Sequence, residues 1–299
     1  RWNRFCCLTY SPEMDFYAAF YYIPPMQCWM LLGGKNPLEA NSWKRLCDLP
    51  KQESPFLFFD QRPRWFGRYL CFGDRQSATI LTMNPQGVER VQRFPLPKAQ
   101  HPCRFACDGL GRILLAHGEE TYCFENGSLS PLGFHILSGD GFNGSIPVPE
   151  TGRLVMCGFS DREVVARLLE LDIDTRRCRA IRMQNVDPWS NLLPFGDDWV
   201  LIKGTCDSMR LDFARLWNRT TGEVLRIRPG MFGSEKLEHI GRLSDGCVVL
   251  TTLRSHEGQV VHFPADFWNF LRSASRPQTL EPMQPCEALY PDIPLTQPE

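Results

Sequence analysis

The chain has 299 residues, 43% hydrophobic and 12% aromatic, which is enough apolar material for a sizeable core. Its 33 basic and 34 acidic residues nearly cancel and form no long like-charge tract, which argues against a nucleic-acid binder driven by phosphate neutralisation. No apolar run reaches the roughly 18 residues of a membrane helix, since the nearest, Phe16 to Leu32, is broken by Pro24, Pro25 and Gln27.

Aromatic residues crowd the N-terminus: Phe5, Tyr10, Phe16, Tyr17, Phe20, Tyr21 and Tyr22 all precede Pro24. They suit the core of a first sheet. The Tyr21–Tyr22 pair is the best exception among them, because aromatics are enriched at interface hot spots. Asn36 to Leu49 has helical spacing, with Trp43, Leu46 and Leu49 on one side.

From residue 68 a unit recurs roughly every 40 to 48 residues: a Gly- and Asp-rich turn, an apolar strand, then a hairpin. The apolar strands begin near Arg68, Arg112, Arg153, Asp198 and Gly246, and Met26-Gln-Cys-Trp-Met-Leu-Leu, about one period earlier, reads as a sixth copy. The hairpins turn at Asn84-Pro-Gln-Gly87, Glu125-Asn126-Gly127, Ile173-Asp-Thr-Arg176 and Arg219-Thr-Thr-Gly222. These residues tolerate positive φ or bond their own backbone. A strand should precede each apolar strand, at Phe56–Asp60, Arg104–Cys107, Gly144–Val148, Asn191–Phe195 and Leu237–Leu243. A period this long, built from short strands, is the signature of a β-propeller. Ala265 to Ala274 reads as a short helix on its rim. The tail from Ser275 to Glu299 carries six prolines and reads as irregular, with part of it, or the strand Phe5–Tyr10, completing the first or last blade.

Leu216-Trp217-Asn218-Arg219-Thr220-Thr221-Gly222-Glu223 resembles the end of a WD40 repeat, with Asn218 in place of the aspartate of the Trp-Asp pair. The resemblance covers about one blade. The upstream Gly-His pair of that family is missing from every repeat, so the resemblance implies a divergent propeller with no specific family.

The sequence carries no Gly-x-Ser-x-Gly, His-Glu-x-x-His, P-loop or dinucleotide fingerprint. The 13 cysteines lack the spacing of a disulfide scaffold, and many lie inside apolar strands as small buried hydrophobes, which fits a reducing, cytoplasmic compartment. On an extended strand His101, Cys103 and Cys107 would share one face, the weak case for a zinc site.

The sequence therefore predicts an all-β chain. Residues 1–274 form a single propeller of four-stranded antiparallel blades, most economically six, with five or seven also compatible; residues 275–299 form the Pro-rich tail. Without catalytic apparatus or a cofactor, it predicts a monomeric scaffold that binds another protein, with no nucleic-acid or membrane partner. A bacterial toxin-neutralising (immunity) or assembly protein is one form of that reading. Tyr21, Tyr22, Trp189 and Trp268 are its candidate contact residues. The alternative rests on a resemblance to six-bladed lactonases, which implies a metal-dependent hydrolase with Ca²⁺ over the central channel. Asp60, Asp140, Asn143, Asn191, Glu238 and His239 are the channel-mouth candidates, and a sugar or small-ligand sensor would use the same pocket.

Overall fold

The computed structural model describes residues 5–11, 13–23, 28–36, 39–49, 63–134, 145–160, 163–182, 191–195, 198–203, 214–227, 236–242, 248–254, 257–263, 280–283, 287–288 and 293–294. Among them the regular elements are strands, apart from one 3-10 turn at Ala40–Ser42. They assemble into six sheets in which neighbouring strands run antiparallel. No helix among the described residues is long and apolar enough to cross a membrane.

The first sheet orders β1 (Phe5–Ser11), β2 (Phe16–Ile23), β3 (Cys28–Gly34) and β4 (Lys44–Leu49). The second is β5 (Arg64–Phe66), β6 (Tyr69–Gly73), β7 (Ser77–Asn84) and β8 (Gly87–Pro95). The third is β9 (Arg104–Cys107), β10 (Ile113–His117), β11 (Glu120–Glu125) and β12 (Ser128–Pro131). The fourth begins β13 (Ile146–Val148), β14 (Arg153–Ser160), β15 (Glu163–Asp172) and β16 (Arg177–Arg182). The fifth begins β17 (Asn191–Phe195), β18 (Trp199–Lys203), β19 (Ala214–Asn218) and β20 (Val224–Ile227). The sixth holds β21 (Lys236–Arg242), β22 (Val248–Arg254) and β23 (Glu257–Phe263). Three tail strands, β24 (Leu280–Met283), β25 (Glu287–Ala288) and β26 (Ile293–Pro294), join the fifth and fourth sheets.

The recurring apolar strands are the second strands of their sheets, and β9 and β17 have the bounds expected from sequence. Two expectations change. Cys28–Gly34 is the third strand of the first sheet, so Phe16–Ile23 is the true counterpart of Tyr69–Gly73. Residues 16 to 20 of that strand are buried without alternation, as befits a strand covered on both faces. Asn36 to Leu49 is not helical either. The 3-10 turn is closed by Ser42 Oγ donating to the Asn36 and Glu39 carbonyls, after which β4 pairs with β3. A bulge between Leu31 and Leu32 lets Leu46, Cys47 and Leu49 reach the core, so burial overrides the three-residue spacing. The strand preceding β6 is Arg64–Phe66; Phe56–Asp60 and the expected helix at 265–274 lie outside the described residues.

The chain divides into two compact units: Arg1–Cys103 with Glu235–Phe267, and Arg104–Ser234 with Trp268–Glu299. In the first, Phe16, Phe20, Leu31, Leu70, Phe72, Leu81 and Met83 share one core. Phe20 meets Phe72 edge-on at 5.3 Å and Phe16 meets Trp65 at 6.4 Å. Each such pair adds about 0.5–1.5 kcal/mol beyond the area buried. Among its described residues the second unit has two cores, one on Leu114, Phe134, Leu154 and Leu171, the other on Leu168, Leu192, Ile202 and Trp217.

Candidate functional site

Several of the described acidic and amide side chains are committed to turns. Asn84 Oδ1 accepts the Gln86 and Gly87 amides, each at 2.9 Å. Asn126 and Gly127 take φ of 51° and 79°, the conformation of a two-residue hairpin turn. Asp172 Oδ1 accepts the Thr175 amide at 3.0 Å. Asn218 Oδ1 accepts the Thr220 and Thr221 amides at 3.0 and 2.9 Å, doing for this turn what an aspartate could do. Asp74, also buried, accepts the Gln76 amide at 2.8 Å and the Ser77 hydroxyl at 3.0 Å.

The most developed polar cluster lies in the second unit, in the Asp108-Gly-Leu-Gly-Arg112 turn between β9 and β10. Asp108 Oδ1 accepts the Leu110 and Arg112 amides at 3.0 and 2.9 Å, and its Oδ2 accepts Arg112 Nε at 2.6 Å. Arg112 Nη1 reaches Asp174 Oδ1 at 2.7 Å, in the turn between β15 and β16. Gly109 docks the loop: its amide donates to the Arg153 carbonyl at 3.1 Å, its carbonyl accepts the Glu150 amide at 3.1 Å, and a Cβ there would overlap the Val148 carbonyl oxygen. Burial lowers the Arg112 pKa, but the hydrogen bonds to Asp174 and Asp108 outweigh it and the net shift is upward. The guanidinium stays charged, and the cluster is a latch between the third and fourth sheets. Arg219 Nη1 ties the fifth sheet to the fourth through the Pro147 carbonyl at 2.9 Å.

The residues singled out from sequence fall as follows. His101 is exposed and, with Cys103, precedes β9, so the shared-strand alternation that grouped them with Cys107 does not hold. Cys103 is fully buried with Sγ 3.5 Å from the Ser77 carbonyl oxygen, and Cys107 Sγ donates to the Asp108 carbonyl at 3.3 Å. Burial, with Asp74 adding to it, pushes the Cys103 thiol pKa up, the reverse of what a thiolate ligand needs. Among the described residues no group of three or more His, Cys, Asp or Glu could hold a metal ion. Asn191 stands opposite Lys203 in β17, His239 opposite Thr251, and Glu238 at the irregularity between Leu237 and His239. Tyr21 stands between Phe5 and Met30, and Tyr22 opposite Trp29, in an interior strand of the first sheet. Asp60, Asp140, Asn143, Trp189 and Trp268 lie outside the described residues.

Sequence reasoning expected part of the tail, or the strand Phe5–Tyr10, to complete the first or last blade; the described tail strands pair instead with the fifth and fourth sheets. β24 adds to β20 with Val224 opposite Met283, Leu225 opposite Pro282, Arg226 opposite Glu281 and Ile227 opposite Leu280. β25 adds to β16 with Ile181 opposite Ala288 and Arg182 opposite Glu287, and β26 adds with Cys178 opposite Ile293 and Arg177 opposite Pro294. Both glutamates in these strands thus stand opposite arginines, and most of the apolar residues stand opposite apolar ones. The legible signal was a tail acid flanked by apolar residues, set against the alternating Arg177-Cys-Arg-Ala-Ile-Arg182 strand.

No protein-family model matches the chain, and no curated protein matches it by sequence. Among solved structures, the β-propeller domain of the Trilobed protease from Pyrococcus furiosus aligns with a TM-score of 0.51 at 13% identity, covering 87% of this chain and 82% of that one. The Pyrococcus horikoshii acylaminoacyl peptidase aligns at 0.46 and 12% identity, over 89% of this chain and 45% of that one. A chain of the Mitotic Checkpoint Complex aligns at 0.45 and 10% identity, over 87% and 89%. The first likeness shows the fold alone, in agreement with the repeated antiparallel sheets: the chain is a divergent β-propeller.

Proposed function

We propose that this propeller acts by binding another protein, as a non-catalytic interaction scaffold. The observation that carries the reading is that the last-strand edges of two sheets, at β20 and β16, already take extended segments by backbone pairing. Strand addition gives affinity through main-chain hydrogen bonds and specificity through alternate side chains. The fold supports the same reading, since rigid sheets present edges and turns at little entropic cost on binding. A toxin-neutralising or assembly role in a bacterial cell is a form of this function.

Cross-linking of the full chain in lysate of its native cell, followed by mass spectrometry, tests it. One protein cross-linked in stoichiometric amount is the expected result. Recovery of no partner above a control of equal charge would overturn the reading.

A further inference from the structure

We propose that the edges of β20 and β16 form a docking site for an extended acidic peptide, and that the C-terminal tail is its built-in competitor. The proposal rests on the protein-binding reading above and assigns it a place, a ligand chemistry and a means of control.

An edge strand carries a row of unpaired backbone donors and acceptors that readily templates another strand. Here that row is covered by the chain's own tail, in a register that reads as recognition. Arg226 stands opposite Glu281 and Arg182 opposite Glu287. Opposite charges directly across an antiparallel pair stabilise it, and like charges destabilise it. Ile227 opposite Leu280, Val224 opposite Met283 and Ile181 opposite Ala288 place apolar residues beside and between the charged positions. A peptide that fits therefore reads apolar-Glu-Pro-apolar, then Glu-apolar.

The prolines explain why one occupant is enough. Pro282 and Pro294 lie within the paired segments, and a residue lacking an N–H suits an edge strand and not a central one, so the tail strands read as the end of their sheets. The prolines also keep the pairing short. The tail pairs over four residues on β20, then over two and two on β16, with Pro285 and Pro291 between the segments. Segments held by few backbone bonds open locally before the sheet does. A partner peptide can therefore replace the tail without unfolding the sheet, and the fraction of time the edge is vacant scales its apparent affinity.

The test uses full-length chains and, as probe, a labelled synthetic peptide of residues 278–297. Three chains are titrated by fluorescence anisotropy: the unaltered chain, the tail variant Glu281→Lys/Glu287→Lys, and the edge variant Arg182→Glu/Arg226→Glu. The tail variant should bind the peptide about tenfold or more tightly than the unaltered chain. The edge variant should lose the native peptide and accept a peptide carrying the same two Glu→Lys changes. Equal affinity of the tail variant and the unaltered chain, or equal binding of both peptides, would overturn the proposal. Hydrogen exchange on the unaltered chain guards against a misfolded variant. Excess native peptide should slow the amides of Val224–Ile227 and Arg177–Arg182, and the charge-altered peptide should not; no difference between the two peptides overturns the site. A partner cross-linked away from both strands would sink this site and leave the protein-binding reading intact, whereas no partner at all would sink that reading.

Discussion

Replacing Arg112 with Met should loosen the latch at Asp108 by an amount the structure bounds. The Asp108 side chain is 0% exposed, Arg112 keeps 21% and Asp174 keeps 51%. The Asp174 bond is half in solvent and contributes about 0–1 kcal/mol. The bond from Arg112 Nε to Asp108 is charge-assisted and contributes about 1.5–3 kcal/mol. Asp108 keeps the Leu110 amide and the backbone amide of residue 112, so the loss stays below the about 3–5 kcal/mol of an abandoned buried charge. The variant should lose about 2–4 kcal/mol, or about 3–6 °C in Tm for a chain of this size. Urea unfolding followed by the fluorescence of Trp217, buried in the same unit, reads it. Asp108→Asn should cost less, because its remaining oxygen still accepts the turn amides. The double variant should be more stable than additivity predicts by about 1–2 kcal/mol. Additivity within about 0.5 kcal/mol would show that the two residues do not act as a pair.

Other consequences are as direct. A Cβ at Gly73 would overlap Cys103 Sγ and come within 2.6 Å of the Ser77 carbonyl oxygen, so Gly73→Ala should destabilise by about 1–3 kcal/mol. Adding Cys103→Gly should recover part of that loss in thermal melts, and no recovery would mean that the backbone contact alone is responsible. For Asp172, desolvation raises the carboxyl pKa, but bonds from Thr175 and the Arg153 guanidinium outweigh it and the net shift is downward from 3.8. Its stabilisation is therefore complete above about pH 4 and disappears as pH falls through the lowered value. Asp172→Asn should cost about 1 kcal/mol at pH 7 and progressively less as pH falls through the lowered value, as urea titrations across that range would show. Cys103, buried with a raised thiol pKa, should resist an alkylating reagent at pH 8 in the native chain and react on unfolding. Mass spectrometry after brief labelling checks this, and native labelling at the rate of an exposed thiol would contradict it.

What the sequence shows and what it hides follow from the range of the interactions. The turns at Asn84 and Asn218 are legible because the side chain that makes each turn lies within a few residues of the amides it bonds, and the turn at Asn126 because Asn and Gly both tolerate positive φ. The Arg104–Cys107 and Asn191–Phe195 strands are legible because each is a short apolar run bounded by turn residues. The β4 strand is misread because Trp43, Leu46 and Leu49 satisfy a helical spacing that pairing with β3 overrides. Cys28–Gly34 is misread because a pattern match cannot tell the second strand of a sheet from the third. The candidate site depends on contacts between residues far apart in sequence, so it was the least legible part. The Asp108–Arg112 spacing was visible, but its link to Asp174 is a meeting of two turns about 60 residues apart. The tail register is of the same kind, since nothing local to Glu281 indicates Arg226.

The way the described polar groups are used bears on both functional readings. A hydrolase that holds a cation needs carboxylate or amide oxygens converging on a common point and otherwise uncommitted. Asp74, Asp108, Asn84 and Asn218 each commit a side-chain oxygen to backbone amides of their own turns, and Asp174 is bound to Arg112. Arginine is divided differently. Arg112 and Arg153 are held by acids of the fourth sheet, and Arg179 pairs with Glu170. Arg182 and Arg226, on the edges of β16 and β20, stand opposite the two acids of the paired tail strands. Charge fixed inside a sheet sets the fold. In the proposed docking site, charge at a sheet edge, matched by a strand of opposite sign, would select what pairs there. That division is what the proposed docking of an extended acidic segment rests on.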